Sequence, residues 1–318
     1  MAKGDAVRAA VVQASGELDL IDVPEPTPGP GQVLVEVDAI GAGYVDVMLR
    51  RGEYRGIPGP GSVPGAEVVG RVQAAGPGAR GDLVGQRVLA VPGFGGYAEQ
   101  VVVDVGRVLP VAQDADASHA VALGVNALVA EIALQRAGTS AGERVLVRGA
   151  GGGIGVLTTQ IAHARGAEVT AVTSSPARGE RLRELGAARI VDRTTAVPDQ
   201  TYDVVVDTVA GPDTGRYLGL LRDNGRYVLC GAAGGAPAED VLPTLIRRFH
   251  KSPTLLALSL NSVTPAELSR SWQEITALWK RGLLSPVVHR QLTLGEAGHA
   301  LELLERGAPF GKVVLLPR

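Results

Sequence analysis

The sequence predicts a protein of the α/β class with two domains, one rich in β-strands and one built as a doubly wound parallel sheet. Three observations lead to this prediction. The chain has 318 residues, enough for two domains at the usual size of about 100–200 residues each. The first third alternates short apolar runs with Pro/Gly turns, and the following part alternates apolar strands with helical segments.

The composition excludes several classes of protein. Hydrophobic residues make up 45% of the chain but aromatic residues only 3%, so the cores are predicted to consist mainly of Val, Leu, Ile and Ala. A net charge of -2 does not favour binding to nucleic acid or to an anionic membrane. The single cysteine, Cys230, excludes an intramolecular disulfide and a cysteine metal cluster. No signal peptide and no membrane-spanning helix are expected, which predicts a cytoplasmic protein.

The first part of the chain is predicted to be an irregular, mostly antiparallel β domain. Runs such as VLVEVDAI carry apolar residues at alternate positions, which is typical of half-buried strands. Segments such as PEPTPGPGQ and PGPGAR carry the turn residues that separate strands. This pattern predicts strands at 7–12, 33–40, 67–75, 86–91 and 98–103.

The second part begins with a long apolar helix that Ser118 is predicted to cap and that is predicted to stop at Gly138. The strands after it are apolar throughout, which indicates a parallel sheet covered by helices on both faces. Strands are predicted at 144–150, 168–174, 188–193, 202–209, 226–232 and 254–260, with helices at 154–166, 176–185 and near 213–221 and 239–250. A long helix at 261–282, a β segment near 287–294, a helix at 295–306 and the strand KVVLLP follow. The predicted domains are therefore 1–118 with 261–318, and 119–260.

The strongest local signal is the glycine-rich stretch GAGGGIG between the strand RVLVR and the next helix. Ala150 stands where a tight turn needs a small residue, Gly152 lets the backbone approach a pyrophosphate, and Gly155 lets the helix pack against the strand. The free N–H groups of the first helical turn, including those of Gly153 and Ile154, then face the phosphates. The pattern predicts a Rossmann-type nucleotide-binding domain.

The residues after the second strand of this domain favour NADPH over NADH. Sites specific for NAD usually carry Asp or Glu about 20 residues after the glycine pattern, where it binds the ribose 2′-OH. Here Ser174 and Ser175 end the strand and Arg178 follows, so that hydroxyl and guanidinium groups are available for a 2′-phosphate and no carboxylate repels it. Arg193, at the end of the third strand, is a further candidate. The alternative for Arg178 is a solvated position on its helix.

The order of these parts resembles the medium-chain dehydrogenase/reductase superfamily. Motifs typical of its zinc-independent quinone oxidoreductase branch run through the whole chain: AIGAGYVDVMLRRGEY, VPGAEVVGRV, GVNA, NGRYVLCG and FGKVVLLP. The resemblance implies a GroES-like β-rich catalytic domain beside the Rossmann-type domain. It also adds Asn126, Gly231 and Lys312 to the residues expected at the NADPH cofactor.

The resemblance further implies that no zinc is bound. The zinc alcohol dehydrogenases of this superfamily hold their catalytic metal with a Cys in the segment matching GAGYVD and a His in the segment matching PGAEVVG. Here Gly43 and Tyr44 stand in the first segment and Ala66 in the second, and Glu67 alone does not hold zinc. Without a Lewis acid, alcohol oxidation is not expected. Hydride delivery from the cofactor to a quinone, or to an alkene conjugated to a carbonyl, is expected instead.

Two tyrosines are the candidates for contact with this small-molecule substrate. Tyr54 matches a tyrosine that related enoyl reductases place near the substrate, where it acts as a general acid or as a hydrogen-bond donor to an enolate. Tyr44 lies in GAGYVD, which lines the cleft in the family. The alternative for both is a side chain that simply covers the cleft floor. Gly43 replaces the usual Asn of the branch, which predicts a roomier pocket, and Asp46 is expected to brace its loop.

The sequence leaves two other functions open and predicts one form of assembly. An enoyl-thioester or enone reductase of biosynthesis needs a basic entrance, for which Arg50, Arg51 and Arg55 are available, although solvated loop charges explain them as well. A protein that binds NADPH with little activity is the other alternative. The apolar strand TLLALSL is predicted at the edge of the parallel sheet, where it invites pairing with its own copy, so a homodimer is expected.

Overall fold

The computed structural model describes residues 6–53, 59–196, 198–238 and 240–317. Its strands are β1 (Ala6–Val12), β2 (Leu18–Pro24), β3 (Gln32–Ala42), β4 (Val68–Ala75), β5 (Arg87–Ala90), β6 (Gln100–Asp104), β7 (Val108–Pro110), β8 (Arg144–Arg148), β9 (Glu168–Thr173), β10 (Arg189–Asp192), β11 (Tyr202–Asp207), β12 (Leu221–Leu229), β13 (Thr254–Ala257), β14 (Val288–Thr293) and β15 (Lys312–Leu316). Its helices are α1 (Tyr44–Arg50), α2 (Ala117–Arg136), α3 (Gly153–Ala164), α4 (Pro176–Glu184), α5 (Thr214–Leu218), α6 (Val241–Arg247), α7 (Pro265–Lys280) and α8 (Ala297–Glu305).

Contacts divide the chain into two compact units, Met1–Val125 with Pro286–Arg318, and Asn126–Ser285. This division groups 119–125 with the first unit and 261–285 with the second, unlike the predicted domains. The segment 261–285 is held to the rest of the second unit by hydrogen bonds. Arg136 donates to Glu267, and Ser285 N donates to Gln160 Oε1 at 2.8 Å. As domain boundaries, 118 and 261 stay predictions.

The first unit is built around the long strand β3. One edge of β3 pairs with β4, and its other edge pairs with β6 near the start and with β15 near the end, all antiparallel. The sheet continues through β5 and β7 on one side and through β14 on the other. Alternate residues of β3, such as Val33 and Val35, enter a core that also contains Tyr97. The strands β1 and β2 form a separate antiparallel pair.

The second unit contains the predicted parallel sheet, in the order β10-β9-β8-β11-β12-β13. The α/β fold class with a parallel sheet is therefore confirmed. The chain first adds β9 and β10 on one side of β8, and then adds β11, β12 and β13 on the other side. The strand order thus reverses between β8 and β11, which are direct neighbours.

Several predicted elements differ from the structure. The strand predicted at 226–232 begins earlier, because Leu221 already pairs with Tyr202, and this shortens α5 to Thr214–Leu218. Both β2 and α1 were missed. The side chains of β2 are mostly exposed and give little alternation, and α1 begins directly after a strand, where Asp46 accepts from Gly43 N.

The helix α2 begins one residue before its predicted cap. Asp116 Oδ1 accepts from His119 N at 2.8 Å, so Asp116 caps the helix and Ser118 is buried inside its first turn. Gly124 interrupts the helix with φ 22° and ψ -132°. In the described part of the chain, α2 alone is long and apolar enough to cross a membrane. Because 83% of its apolar window is buried inside the protein, α2 has the character of a core helix.

Candidate functional site

The glycine-rich turn has the close packing that its sequence predicts. Gly149 leaves β8 with φ 73°, and Ala150 N donates to Val172 O of the neighbouring strand at 3.1 Å. A Cβ atom added to Gly155 would lie 2.3 Å from Gly149 O. A side chain at this position therefore pushes α3 away from β8, so glycine is required.

The start of α3 presents backbone to a ligand. Gly152 precedes the helix in an extended conformation, is exposed, and has no side-chain cap. A Cβ atom added to Gly153 would lie 2.2 Å from Asn126 Nδ2, so the buried Asn126 amide rests against this turn. Gly152, Gly153, Ile154 and Asn126 are thus brought together. Gly152 N already donates to Gly149 O at 3.0 Å, so it is the N–H groups of the first helical turn, at Gly153 and Ile154, that fit a pyrophosphate.

The second group of predicted cofactor residues lies where β9 and β10 end. Ser175 Oγ accepts from Arg178 N at 3.3 Å and so caps α4, with Ser174 next to it. Arg193 N donates to Thr173 O at 2.9 Å, which fixes the residue beside the end of β9. Burial lowers the pKa of Arg178, and the charge of Arg193 lowers it further. Two guanidinium groups therefore share this edge of the sheet, which suits a bound phosphate.

Gly231 follows β12 and lies against the loop after β11. A Cβ atom added to it would be 2.2 Å from Thr208 O. Its role is therefore to let two backbone segments approach at the carboxyl edge of the sheet. The same loop also contacts Gly149, because a Cβ atom added there would be 2.3 Å from Thr208 Oγ1.

In the first unit, a buried carboxylate organises the segment GAGYVD. Asp46 accepts from Gly43 N and Gly65 N, each at 2.9 Å, and from the Tyr97 hydroxyl at 3.1 Å. Burial raises the pKa of Asp46, and these hydrogen bonds only partly oppose the shift. Asp46 therefore braces its loop, as expected. Tyr44 begins α1 and packs, half-buried, against the core. Tyr54 and Arg55 lie outside the described residues.

Lys312 has a place that the sequence did not predict. Its ammonium is buried and donates to Glu67 Oε1, while Glu67 Oε2 accepts from Val125 N at 2.5 Å. Burial raises the pKa of Glu67, and Lys312 opposes the shift. A Cβ atom on Gly41 would lie 2.6 Å from Lys312 Cε, and one on Gly124 would lie 1.9 Å from Glu67 Oε2. Two glycines therefore make room for a buried ion pair.

The other charged candidates of the first unit are also engaged within it. Arg50 donates to Glu305, and Arg51 Nε lies 3.3 Å from the same Glu305 oxygen. Within the described ranges, no group of three or more His, Cys, Asp or Glu residues is placed to hold a metal ion.

Comparisons with known proteins agree with this architecture. Residues 29–113 match the model of the alcohol dehydrogenase GroES-like domain, and residues 185–315 match the model described as zinc-binding dehydrogenase. The quinone oxidoreductase of Rattus norvegicus is 30% identical over 93% of this chain and 92% of its own length. Polyketide synthase GfsB of Streptomyces halstedii is 33% identical over 90% of this chain, which spans only 5% of that synthase.

A solved mycobacterial structure in complex with NADPH is 27% identical, covers 98% of this chain and 100% of its own, and superposes with a TM-score of 0.89. A GroES-like domain followed by a parallel-sheet nucleotide-binding domain defines a two-domain oxidoreductase. The chain belongs to the medium-chain dehydrogenase/reductase superfamily, in its quinone oxidoreductase branch.

The sequence did not point to three residues that the structure joins at the carboxyl edge of the parallel sheet. Arg148 ends β8, Asp207 ends β11, and Tyr227 lies in β12, and all three are buried. A signal was present, since VLVR and VVVD are buried strands that each end in a charged residue. Only the pairing of β8 with β11 shows that the two charges meet.

Proposed function

We propose that this oxidoreductase transfers hydride from NADPH to a quinone or another electron-poor conjugated acceptor without using zinc. The observation that carries the choice of NADPH is the edge of β9 and β10, where Ser174, Ser175, Arg178 and Arg193 lie together. The last residue of β9 is Thr173, so no carboxylate stands where an NAD-specific site uses one. The mycobacterial relative solved with NADPH supports the same choice.

In this proposal, different backbone and side-chain groups hold different parts of the cofactor. The N–H groups of Gly153 and Ile154 bind the pyrophosphate, and Gly152 lets it approach the backbone. Ala150 and Gly155 keep the turn tight. Asn126 contacts the turn from the side. Bound NADPH supplies the hydride, and the chain orients the cofactor and excludes water around it.

Zinc independence rests on the residues of GAGYVD and PGAEVVG, the segments that match the metal-binding segments of zinc alcohol dehydrogenases. Gly43 and Ala66 carry no ligand atoms in their side chains, and both oxygens of Glu67 are engaged, by Lys312 and by Val125 N. A group held in this way is not available as a metal ligand. Without a Lewis acid, the acceptor must already be electron-poor, which favours quinones and conjugated alkenes. Tyr54 and Tyr44 are the proposed donors of a proton or hydrogen bond to the reduced acceptor.

The second candidate function is reduction of an enoyl thioester. It is favoured by the 33% identity with a segment of a polyketide synthase. The arrangement of Arg50 and Arg51 disfavours it, because both already pair with Glu305. A protein that binds NADPH with little activity is the third candidate, and the oxidation of NADPH with a panel of acceptors separates it from the other two.

The test is steady-state oxidation of NADPH and NADH, side by side, with a panel of quinones, enones and an enoyl thioester. We expect turnover with NADPH and quinones or enones. The double variant Arg178→Ala/Arg193→Ala should raise the KM for NADPH by at least about 10- to 100-fold and leave that for NADH unchanged, because the loss of even one hydrogen bond to a charged group costs about 1.5–3 kcal/mol. Arg216→Ala, an exposed arginine on α5, is the matched control.

Four results would overturn parts of this proposal. Equal kcat/KM for NADH and NADPH in the wild type contradicts the cofactor choice. Turnover restricted to the enoyl thioester moves the function to the second candidate. Tight NADPH binding without turnover of any acceptor supports the third. Tyr54→Phe, assayed with the best acceptor, tests the proton donor, and an unchanged kcat would remove Tyr54 from that role.

A homodimer and a cytoplasmic location belong to the same proposal. The strand β13 ends the sheet order, and Leu242, Ile246 and Phe249, in the segment that precedes it in the chain, are 65%, 67% and 83% exposed. An edge strand and exposed apolar side chains are what a second copy would cover. A gel-filtration mass near that of one chain, 32.7 kDa, would contradict the dimer.

A further inference from the structure

The point where the strand order reverses carries a buried pair of charges. The strands β8 and β11 are neighbours there, and their last residues, Arg148 and Asp207, are partners in the register. Arg148 Nη1 donates to Asp207 Oδ2 at 3.0 Å, and both side chains are buried. Dinucleotides bind outside the carboxyl ends of the strands at such a reversal. The ion pair therefore lies beneath the expected position of the cofactor.

The Asp207 carboxylate is saturated with donors. Oδ2 accepts from Arg148 and from the Tyr227 hydroxyl, and Oδ1 accepts from Val209 N at 2.8 Å and Ala210 N at 3.0 Å. Four donors match the acceptor capacity of one carboxylate. Burial, with the charge of Asp207, raises the pKa of Tyr227, so its hydroxyl remains a donor at neutral pH.

Arg148 is held from two further sides. Its second terminal nitrogen donates to Asp213, and its guanidinium carbon lies 4.3 Å from the centroid of the Tyr217 ring. A guanidinium with carboxylates at its edge and an aromatic ring at its face has little freedom to move. The network of Arg148, Asp207 and Tyr227 is therefore a rigid support at the carboxyl ends of β8 and β11.

This network determines the conformation of the loop 208–211. Two consecutive N–H groups of the loop donate to Asp207, and Ala210 adopts φ 57°, a left-handed conformation that alanine rarely takes. Thr208 Oγ1 donates to the carbonyl of Arg148 at 3.0 Å. Contacts with Gly149 and Gly231 enclose Thr208 from both sides, as described above. The loop is thus fixed between the glycine-rich turn and the end of β12.

We propose that Arg148, Asp207 and Tyr227 are positioning residues that hold the 208–211 loop against the nicotinamide half of the cofactor. The inference rests on the proposed use of NADPH. In that proposal the adenosine phosphate lies over β9 and β10 and the pyrophosphate lies at the start of α3, on β8. The remaining half then continues over β11 and β12, where this loop lies. The two halves of the cofactor are held by different residues.

The separation of the two halves provides the test. Calorimetry with adenosine 2′,5′-bisphosphate reports the adenosine half alone, and calorimetry with NADPH reports both halves. The variants are Tyr227→Phe, which removes one donor to Asp207, and Asp207→Asn, which removes the charge. Arg222→Gln is the matched control, because Arg222 pairs with Asp203 at the opposite end of the same strand β11.

For Asp207→Asn we expect kcat with NADPH to fall at least about tenfold and the Kd for NADPH to rise, while the Kd for adenosine 2′,5′-bisphosphate stays within about twofold of wild type. Tyr227→Phe should show the same pattern at about threefold. The deuterium isotope effect with NADPH labelled at the transferred position should increase in both variants, because misplacement of the nicotinamide slows hydride transfer. Arg222→Gln should match wild type in every measurement.

Equal losses for the two ligands, or unchanged kcat and Kd in both variants, would overturn the inference. If Asp207→Asn does not fold, Tyr227→Phe decides the outcome alone. A failure of the proposed function looks different, because it appears in the wild type. If the wild type prefers NADH, the same comparison is made with NADH and ADP, and if it binds no nucleotide, both proposals are overturned.

Discussion

Replacing Lys312 tests whether its charge serves the fold or the cofactor. Lys312→Met keeps an unbranched apolar stem of similar length but removes the ammonium. The Glu67 carboxylate then stays buried, with Val125 N as its remaining hydrogen-bond donor among those described. Removing one partner of a buried ion pair costs about 3–5 kcal/mol. For a unit of this size, that corresponds to a fall in Tm of about 6–20 °C.

The loss of stability in Lys312→Met should depend on pH, and its direction follows from the pKa of Glu67. Burial raises the pKa of Glu67 above 4.5, and Lys312 counteracts this rise, so the pKa of Glu67 rises further in the variant. A carboxyl group whose folded-state pKa is raised binds its proton more tightly in the folded state than in the unfolded state. Its contribution is fully present at low pH and is lost as the pH rises through the folded-state pKa. The variant should therefore be least stable, relative to wild type, at neutral and alkaline pH.

The assay must report the first unit. Both tryptophans, Trp272 and Trp279, lie in α7 of the second unit, so tryptophan fluorescence follows the wrong part of the chain. Hydrogen exchange of peptides from β3 and β15 across a urea titration reports the first unit, and circular dichroism follows both units together. Arg80→Gln, which removes an exposed ion pair in that unit, is the control and should leave unfolding unchanged.

A double variant provides an internal check. Glu67→Gln combined with Lys312→Met removes both members of the ion pair and should recover part of the lost stability, while the buried Asp46 carboxylate loses only the more distant charge of Lys312. The reasoning is refuted if Lys312→Met unfolds like wild type. It is also refuted if the variant keeps its stability while its Kd for NADPH rises tenfold or more, since Lys312 would then bind the cofactor as the sequence predicted.

Two further predictions concern the turn and the buried carboxylate of the first unit. Gly155→Ala should lower the free energy of unfolding by about 1–3 kcal/mol, because its Cβ would lie 2.3 Å from Gly149 O. Gly152→Ala should keep the stability of the wild type and weaken NADPH binding. Equal Tm values for the two variants would contradict this prediction. Burial raises the pKa of Asp46 above 3.8, so wild type should lose stability relative to Asp46→Asn as the pH rises above that value. Urea midpoints measured across pH check the second prediction, and a difference that grows in the opposite direction would refute it.

The parts of the site that the sequence predicted depend on local rules. Ala150, Gly152 and Gly155 follow from the steric needs of one short turn, and Ser175 follows from the capping of one helix. These requirements act over a few residues and leave a readable pattern. The parallel sheet was predictable for a similar reason, because strands buried on both faces are apolar throughout.

The parts that the sequence did not predict depend on distant pairings. Glu67 and Lys312 are 245 residues apart, and nothing near either residue indicates its partner. Arg148 and Asp207 meet only because β11 pairs with β8 in one register. The cap of α2 was wrong by two residues because Asp116 and Ser118 are both good capping residues, and the choice depends on where the preceding backbone turns. Tertiary contacts determine each of these outcomes.

The central position of β3 has a consequence for the order of events during synthesis. β3 is made early, but its partner β15 follows the whole second unit in sequence, as does the Lys312 that neutralises Glu67. The second unit is continuous and can fold as soon as it leaves the ribosome, while the end of β3, at residues 40–42, still lacks its partner β15. Closing a chain over that separation is slow. A premature stop before β15 would therefore release a protein with a formed nucleotide-binding unit and an aggregation-prone, unpaired end of β3.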